Sequence, residues 1–216
     1  MVLGNGLRII WLDTHIGVMG QYKALKQQFK SAVQPVAAMP PNQINELICY
    51  FEENVAPIEF VSTIDDALAL IQYEKDKRII LISSGVLGEQ IIPMIVSEYP
   101  RVYFFYIFCG YVRRLVEWAL ERGYDHCMKI LDHESDLLVH LTRDMSNEII
   151  TLGQSYMSLH DGTSARKCFV TAETLEMQAN AVDALHNRAP FLKRLQILQG
   201  PNGLIQQARD LGESQN

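Results

Sequence analysis

The chain has 216 residues, of which 48% are hydrophobic and 20% charged, with 19 basic and 25 acidic side chains and a formal net charge of -6. This composition is enough to bury a sizeable core and gives no sign of a long disordered tract. The acidic balance argues against the concentrated basic face that a nucleic-acid backbone requires. No run of about 20 apolar residues is present to cross a bilayer, and the opening MVLGNGLRIIWLD has no long apolar stretch of the secretory type. Cys49, Cys109, Cys127 and Cys168 show no C-x-x-C spacing, so neither a zinc knuckle nor a redox dithiol is expected, and a reducing compartment fits. A soluble cytoplasmic protein with no membrane or nucleic-acid partner is expected.

Residues 7–13, LRIIWLD, form a compact apolar run ending in a carboxylate, the pattern of a strand buried on both faces. A loop with Gly17 and Gly20 follows, and then Tyr22, Leu25, Phe29 and Val33 share one helical face. The proline-rich QPVAAMPP at 34–41 reads as a linker, and Ile44, Leu47, Ile48 and Phe51 as a further short amphipathic helix. Pro57 introduces a strand over 58–61. Ser62 or Thr63 caps the next helix, with Asp65 and Asp66 in its first turn and Ala67, Leu68, Ile71 and Tyr73 on its buried side.

RIILIS at 78–83 reads as the central strand and passes through Ser84-Gly85 into a helix bearing Leu87, Ile91, Ile92, Ile95 and Val96. RVYFFYIF at 101–108 is a strand by its aromatic and β-branched content. Cys109-Gly110 leads to a helix with Val112, Leu115, Trp118 and Ala119, stopped by Gly123, and CMKIL at 127–131 is the last strand. Strands alternating with helices through short connections predict an α/β fold: a five-stranded parallel, flavodoxin-like sheet in the order 2-1-3-4-5, with helices on both faces.

From residue 134 the pattern is helical, so the chain divides into an α/β domain at 1–133 and a helical region at 134–216. A helix over 134–145 carries Leu137, Leu138, Leu141 and Met145. After it, Leu152, Gly153 and Tyr156 give L-G-x2-Y, Ala165 and Phe169 give A-x3-F, and the small Ala172 follows. Over 146–178 this resembles a single tetratricopeptide repeat, in which two antiparallel helices touch at small residues and aromatic side chains fill the space between turns. Ile149 stands where the repeat has tryptophan, and Met177 where a proline would end it. Asp161-Gly162 forms the connection and Thr163 or Ser164 caps the second helix. Residues 180–216 read as capping helices broken near Pro190 and at Gly200-Pro201-Asn202-Gly203.

In open α/β sheets, ligands collect at the carboxyl ends of the strands. There the sequence gathers Asp13 and Thr14, then Ser83, Ser84 and Gly85, then Cys109 and Gly110, and finally Asp132. An acid closing strand one resembles a response-regulator receiver. The receiver's phosphate-accepting Asp would fall on Ile-Ser-Ser-Gly, so phosphotransfer by that route is not expected. The stretch IILISSGVLGEQIIPMI is similar to Toll/interleukin-1-receptor (TIR) domains, which implies Glu89 as a candidate for NAD cleavage. The histidines offer no i,i+4 metal pair, and neither a metal nor a cofactor is expected.

Taken with IIWLD, VYFFYIFCG and Trp118, the chain resembles degenerate receiver/TIR-like domains placed ahead of tetratricopeptide arrays. That resemblance implies a non-catalytic signalling adaptor that binds a protein partner or associates with itself. Two alternatives stay open: a TIR-like NAD-cleaving enzyme, and a small-ligand or nucleotide sensor using the strand-end cleft.

Overall fold

A computed structural model describes residues 6–14, 50–51, 53–132, 134–183 and 189–214. The expectations for His15, Gly17, Gly20, the faces at Tyr22–Val33 and Ile44–Ile48, linker 34–41, His133, Leu185 and His186 lie outside the described residues. The described residues form two compact units, 6–14 with 56–137 and 50–55 with 138–214.

The first unit is built on one all-parallel sheet of β1 (Leu7–Leu12), β2 (Ile58–Val61), β3 (Arg78–Ser84), β4 (Val102–Phe108) and β5 (Met128–Leu131). The strand order is β2-β1-β3-β4-β5, as the sequence predicts. Its helices are α1 (Ile64–Tyr73), α2 (Gly85–Ile95) and α3 (Val112–Arg122). The connections from β2 to β3, β3 to β4 and β4 to β5 all step across the sheet in one direction, so right-handed crossovers put these three helices on one face. That face is a core of Ile10, Leu12, Ile79, Leu81, Phe105 and Ile107 packed by Ala67, Ile71, Ile91, Ile92, Ile95, Leu115 and Ala119. Ile9, Trp11, Ile80, Ile82 and Tyr106, on the opposite face, are buried as well. Burial on both sides is why these strands read as unbroken apolar runs.

Local signals act where the sequence places them, with some differences. Thr63 caps α1 by accepting the Asp66 amide at 3.1 Å. Gly123 ends α3 with φ of 71°, a left-handed turn that a β-carbon would strain. Tyr73 is not on the buried side of α1: it lies two residues past buried Ile71, across the helix, and is 81% exposed. α2 ends at Ile95, ahead of Pro100, after Pro93 has withheld the amide that would bond the Glu89 carbonyl.

An ion-pair network ties β1 to β2 and to the end of α1. Arg8 donates to Glu74 through Nη2 at 2.5 Å and Nε at 2.9 Å, and to Glu59 at 3.1 Å, while Lys77 reaches Glu74 at 3.0 Å. Burial pushes the Glu74 carboxyl up, but hydrogen bonds from Lys77 and Arg8 outweigh it and hold the group below its usual range. A carboxylate with a lowered folded pKa contributes stability above its unfolded pKa, and that contribution is lost as pH falls through the folded value. Glu74→Gln is therefore expected to cost about 1–2 kcal/mol at neutral pH and to flatten the acid limb of stability, read by urea unfolding from pH 7 to pH 3.

The second unit is helical. α4 (Glu134–Ser158) is one continuous 25-residue helix, not a helix over 134–145 followed by a separate one. No glycine or proline lies between Met145 and Leu152 to interrupt it. It closes at His160, whose φ of 59° is left-handed. α5 (Gly162–Val182) is capped by Asp161, whose Oδ1 accepts the Ser164 amide at 2.9 Å, so neither Thr163 nor Ser164 is the cap. Helices α6 (Ala189–Gln199) and α7 (Leu204–Glu213) follow, with Pro190 in the first turn of α6, where its missing amide costs nothing.

The motif residues meet inside this hairpin. A β-carbon on Gly153 would stand 2.5 Å from the Phe169 ring, and Ile149, Ala165, Phe169 and Ala172 are fully buried, with Leu152 and Tyr156 half-buried. α5 runs five residues past the exposed Met177, as expected where no proline ends it. Among these apolar side chains sits Glu176, fully buried, with Arg194 of α6 at 2.9 Å. Beside this pair Arg143 bonds Asp183 at 2.6 Å, and the Ser146 hydroxyl donates to the Ala172 carbonyl at 3.2 Å. Among the described residues no helix is long and apolar enough to cross a membrane.

Candidate functional site

The parallel register brings Val61, Leu12, Ser83, Ile107 and Ile130 into one row across the sheet. Asp13, Ser84, Cys109 and Asp132 follow within two residues of it, at the carboxyl edge of their strands. The Asp13 amide donates to the Val61 carbonyl at 3.0 Å, and the Cys109 amide to Leu131 at 2.9 Å. Thr14, Gly110 and Asp132 are exposed, and Asp13, Ser84 and Cys109 are half-buried.

Ser83 belongs elsewhere. Alternation along β3 turns it to the helix-covered face with Ile79 and Leu81, and it is fully buried. Its Oγ has no hydrogen-bond partner among the described residues and lies 2.7 Å from where a β-carbon on Gly88 would stand, with Ile107 Cδ1 at 2.8 Å from the same point. α2 thus crosses β3 and β4 at Gly88, and the hydroxyl fills that contact. Ser83→Ala is expected to change stability by no more than about 0.5 kcal/mol, or to raise it, because it removes a buried unpaired hydroxyl. Urea unfolding checks this; a loss above about 1.5 kcal/mol would mean that the hydroxyl has a partner.

Gly85 is similarly enclosed, since a β-carbon there would meet Cys109 Cβ at 2.9 Å and Leu115 Cδ1 at 3.0 Å. Ser84 precedes α2 in extended backbone and makes no side-chain cap bond. Glu89 lies in the second turn of α2, beyond the first turn where a carboxylate would act on the helix dipole. It pairs with Arg114 of α3 at 2.6 Å, its side chain only 21% exposed. Arg113 bonds Glu117 at 3.1 Å, but nothing in the spacing shows that Arg114 reaches 25 residues back.

The Cys109 thiol is pushed up by burial, then by Asp132 and Glu89, more than the Tyr111 amide and Arg114 pull it down. A thiol held in its protonated form is a poor nucleophile. Among the described residues, no group of three or more His, Cys, Asp or Glu side chains could hold a metal ion. The strand ends therefore combine a sealed serine, a carboxylate in an ion pair and a protonated thiol, with Asp13, Thr14, Gly110 and Asp132 around them.

No family model, curated protein or solved structure matches the chain.

Proposed function

We propose that this chain is a non-catalytic protein-interaction or signalling adaptor of the cytoplasm. Its α/β unit is a degenerate receiver/TIR-like domain, and its helical unit is the surface that docks a partner or a second copy. One observation carries the reading: the turn from β3 into α2 is filled by the protein's own side chains, Cys109 and Leu115 against Gly85, and Ser83 and Ile107 against Gly88. A ligand phosphate or a reacting carboxylate needs open space at that turn. The contact of Gly153 with Phe169 supports the tetratricopeptide-like reading of the hairpin, because this spacing has a packing reason.

Incubation of the full chain with NAD tests the reading against its catalytic rival. Nicotinamide release is expected to equal that of buffer, both for the natural sequence and for Glu89→Ala. Release that Glu89→Ala abolishes would replace the adaptor with an NAD-cleaving enzyme.

A further inference from the structure

The helical unit holds a groove of about 860 Å³ between α5 and α7, lined also by Asn54. Its floor forms where the two helices approach most closely: a β-carbon on Gly162 would lie 2.5 Å from the Ala208 carbonyl oxygen and 2.5 Å from the Gly212 amide nitrogen. The α5 wall carries Arg166, Lys167 and the partly exposed Val170; the α7 wall carries Arg209 and Glu213.

Charge decides what fits. Among the described residues Glu213 is the one carboxylate lining the groove, and Arg209 already engages it at 2.9 Å. Arg166 and Lys167 make no ion pair among the described residues, so the groove holds an excess of positive charge on a chain whose net charge is -6. A localised cationic groove on an acidic protein favours an anionic partner and disfavours cationic ones. The lining from Gly162 to Thr171 spans about 14 Å of helix, the length of about four residues of extended peptide at ~3.3 Å each. Val170, 38% exposed one turn past Arg166, offers an apolar contact for an alternate side chain.

We infer that this groove binds a short, extended, acidic peptide segment of a partner protein, with carboxylates against Arg166 and Lys167 and an apolar side chain on Val170. The inference rests on the docking role given to the helical unit above and names the class of partner.

Fluorescence anisotropy of the full chain with a fluorescein-labelled hexapeptide alternating glutamate and leucine tests it. Saturable binding is expected, weakened about tenfold by the paired change Arg166→Glu and Lys167→Glu. Glu213→Lys should tighten binding several-fold, which keeps the test informative if the double variant folds poorly; thermal unfolding of each variant monitors that. The same peptide with lysine for glutamate should not bind. The groove assignment is overturned by no binding at about 1 mM peptide, by equal affinity in the double variant, or by equal binding of the lysine peptide. Tighter binding of a single-stranded oligonucleotide, or a dimer that the double variant dissociates, would also overturn it. Failure here is separable from failure of the adaptor reading, which the nicotinamide assay decides on its own.

Discussion

Glu176→Ala is expected to destabilise the helical unit by about 3 kcal/mol, the lower end of the range for removing one partner of a buried ion pair. Glu176 is fully buried, and Arg194, its partner across from α6, keeps 27% of its side chain exposed. The stranded guanidinium can therefore turn toward water, which keeps the loss at the lower end. Glu176→Gln retains the shape and one acceptor for Arg194, and removes a charge from the interior, so it should stay within about 1 kcal/mol of the natural sequence. Equilibrium unfolding in urea separates the two.

The same residue has a pH signature opposite to that of Glu74. Burial pushes the Glu176 carboxyl up, and Arg194, Ser146 and Arg143 only partly offset that. Its Oε2 has no hydrogen-bond partner among the described residues. A carboxyl with a raised folded pKa is held most tightly in its protonated form. Its contribution to stability therefore grows as pH falls through the folded pKa and levels off below the unfolded value near 4.5. Lowering the pH from 7 toward 5 should thus favour the folded helical unit through this group, and Glu176→Gln should abolish that gain. An unchanged slope in the glutamine variant would show that the buried carboxyl does not govern it.

The second large effect is expected at Gly162. Its neighbours there are the backbone of α7, not a flexible side chain, so no rotamer change relieves an added β-carbon. Gly162→Val should cost about 3 kcal/mol, the upper end for overpacking, and release α7 to proteolysis near Gly203. It should also abolish peptide binding, because the groove floor is the Gly162–Gly212 contact. Gly153→Ala is the informative comparison. There the obstacle is the Phe169 ring, which can shift, and the loss should be nearer 1 kcal/mol. If Gly162→Val unfolds no more easily than Gly153→Ala, the close approach of α5 and α7 is wrong.

The strands are legible because they are buried on both faces, so RIILIS and VYFFYIF stand out as continuous apolar runs, and their order is that of the commonest five-stranded arrangement of alternating strands and helices. Gly123 and Thr63 act locally and were readable for the same kind of reason: their effect needs only their own backbone. The aromatic ring of Tyr73 argues for the core, while its position on the helix turns it outward. Asp161 reads as a turn residue in the sequence, beside the competing hydroxyls of Thr163 and Ser164, yet its carboxylate is the cap of α5. Continuity of α4 through Met145 was hidden because a repeat template suggested a boundary that no breaker residue enforces.

The strand-end residues show the limit most clearly. Their shared edge follows from strand order alone. That Ser83 is sealed under Gly88, and that Glu89 belongs to Arg114, depends on how α2 crosses the sheet, which periodicity does not encode. Glu176 could have been noticed: Ala165, Phe169, Ala172, Glu176 and Ala179 fall at steps of three and four, so a carboxylate occupies a core position of its helix.

Hydrogen–deuterium exchange of the full chain, with and without the glutamate–leucine hexapeptide, tests most directly the claim that binding belongs to the helical unit and not to the strand ends. Protection confined to residues 162–171 and 204–213, with 83–89 and 109–114 unchanged, is the expected outcome. Protection at 83–89 and 109–114 instead would contradict it and return the function to the end of the sheet.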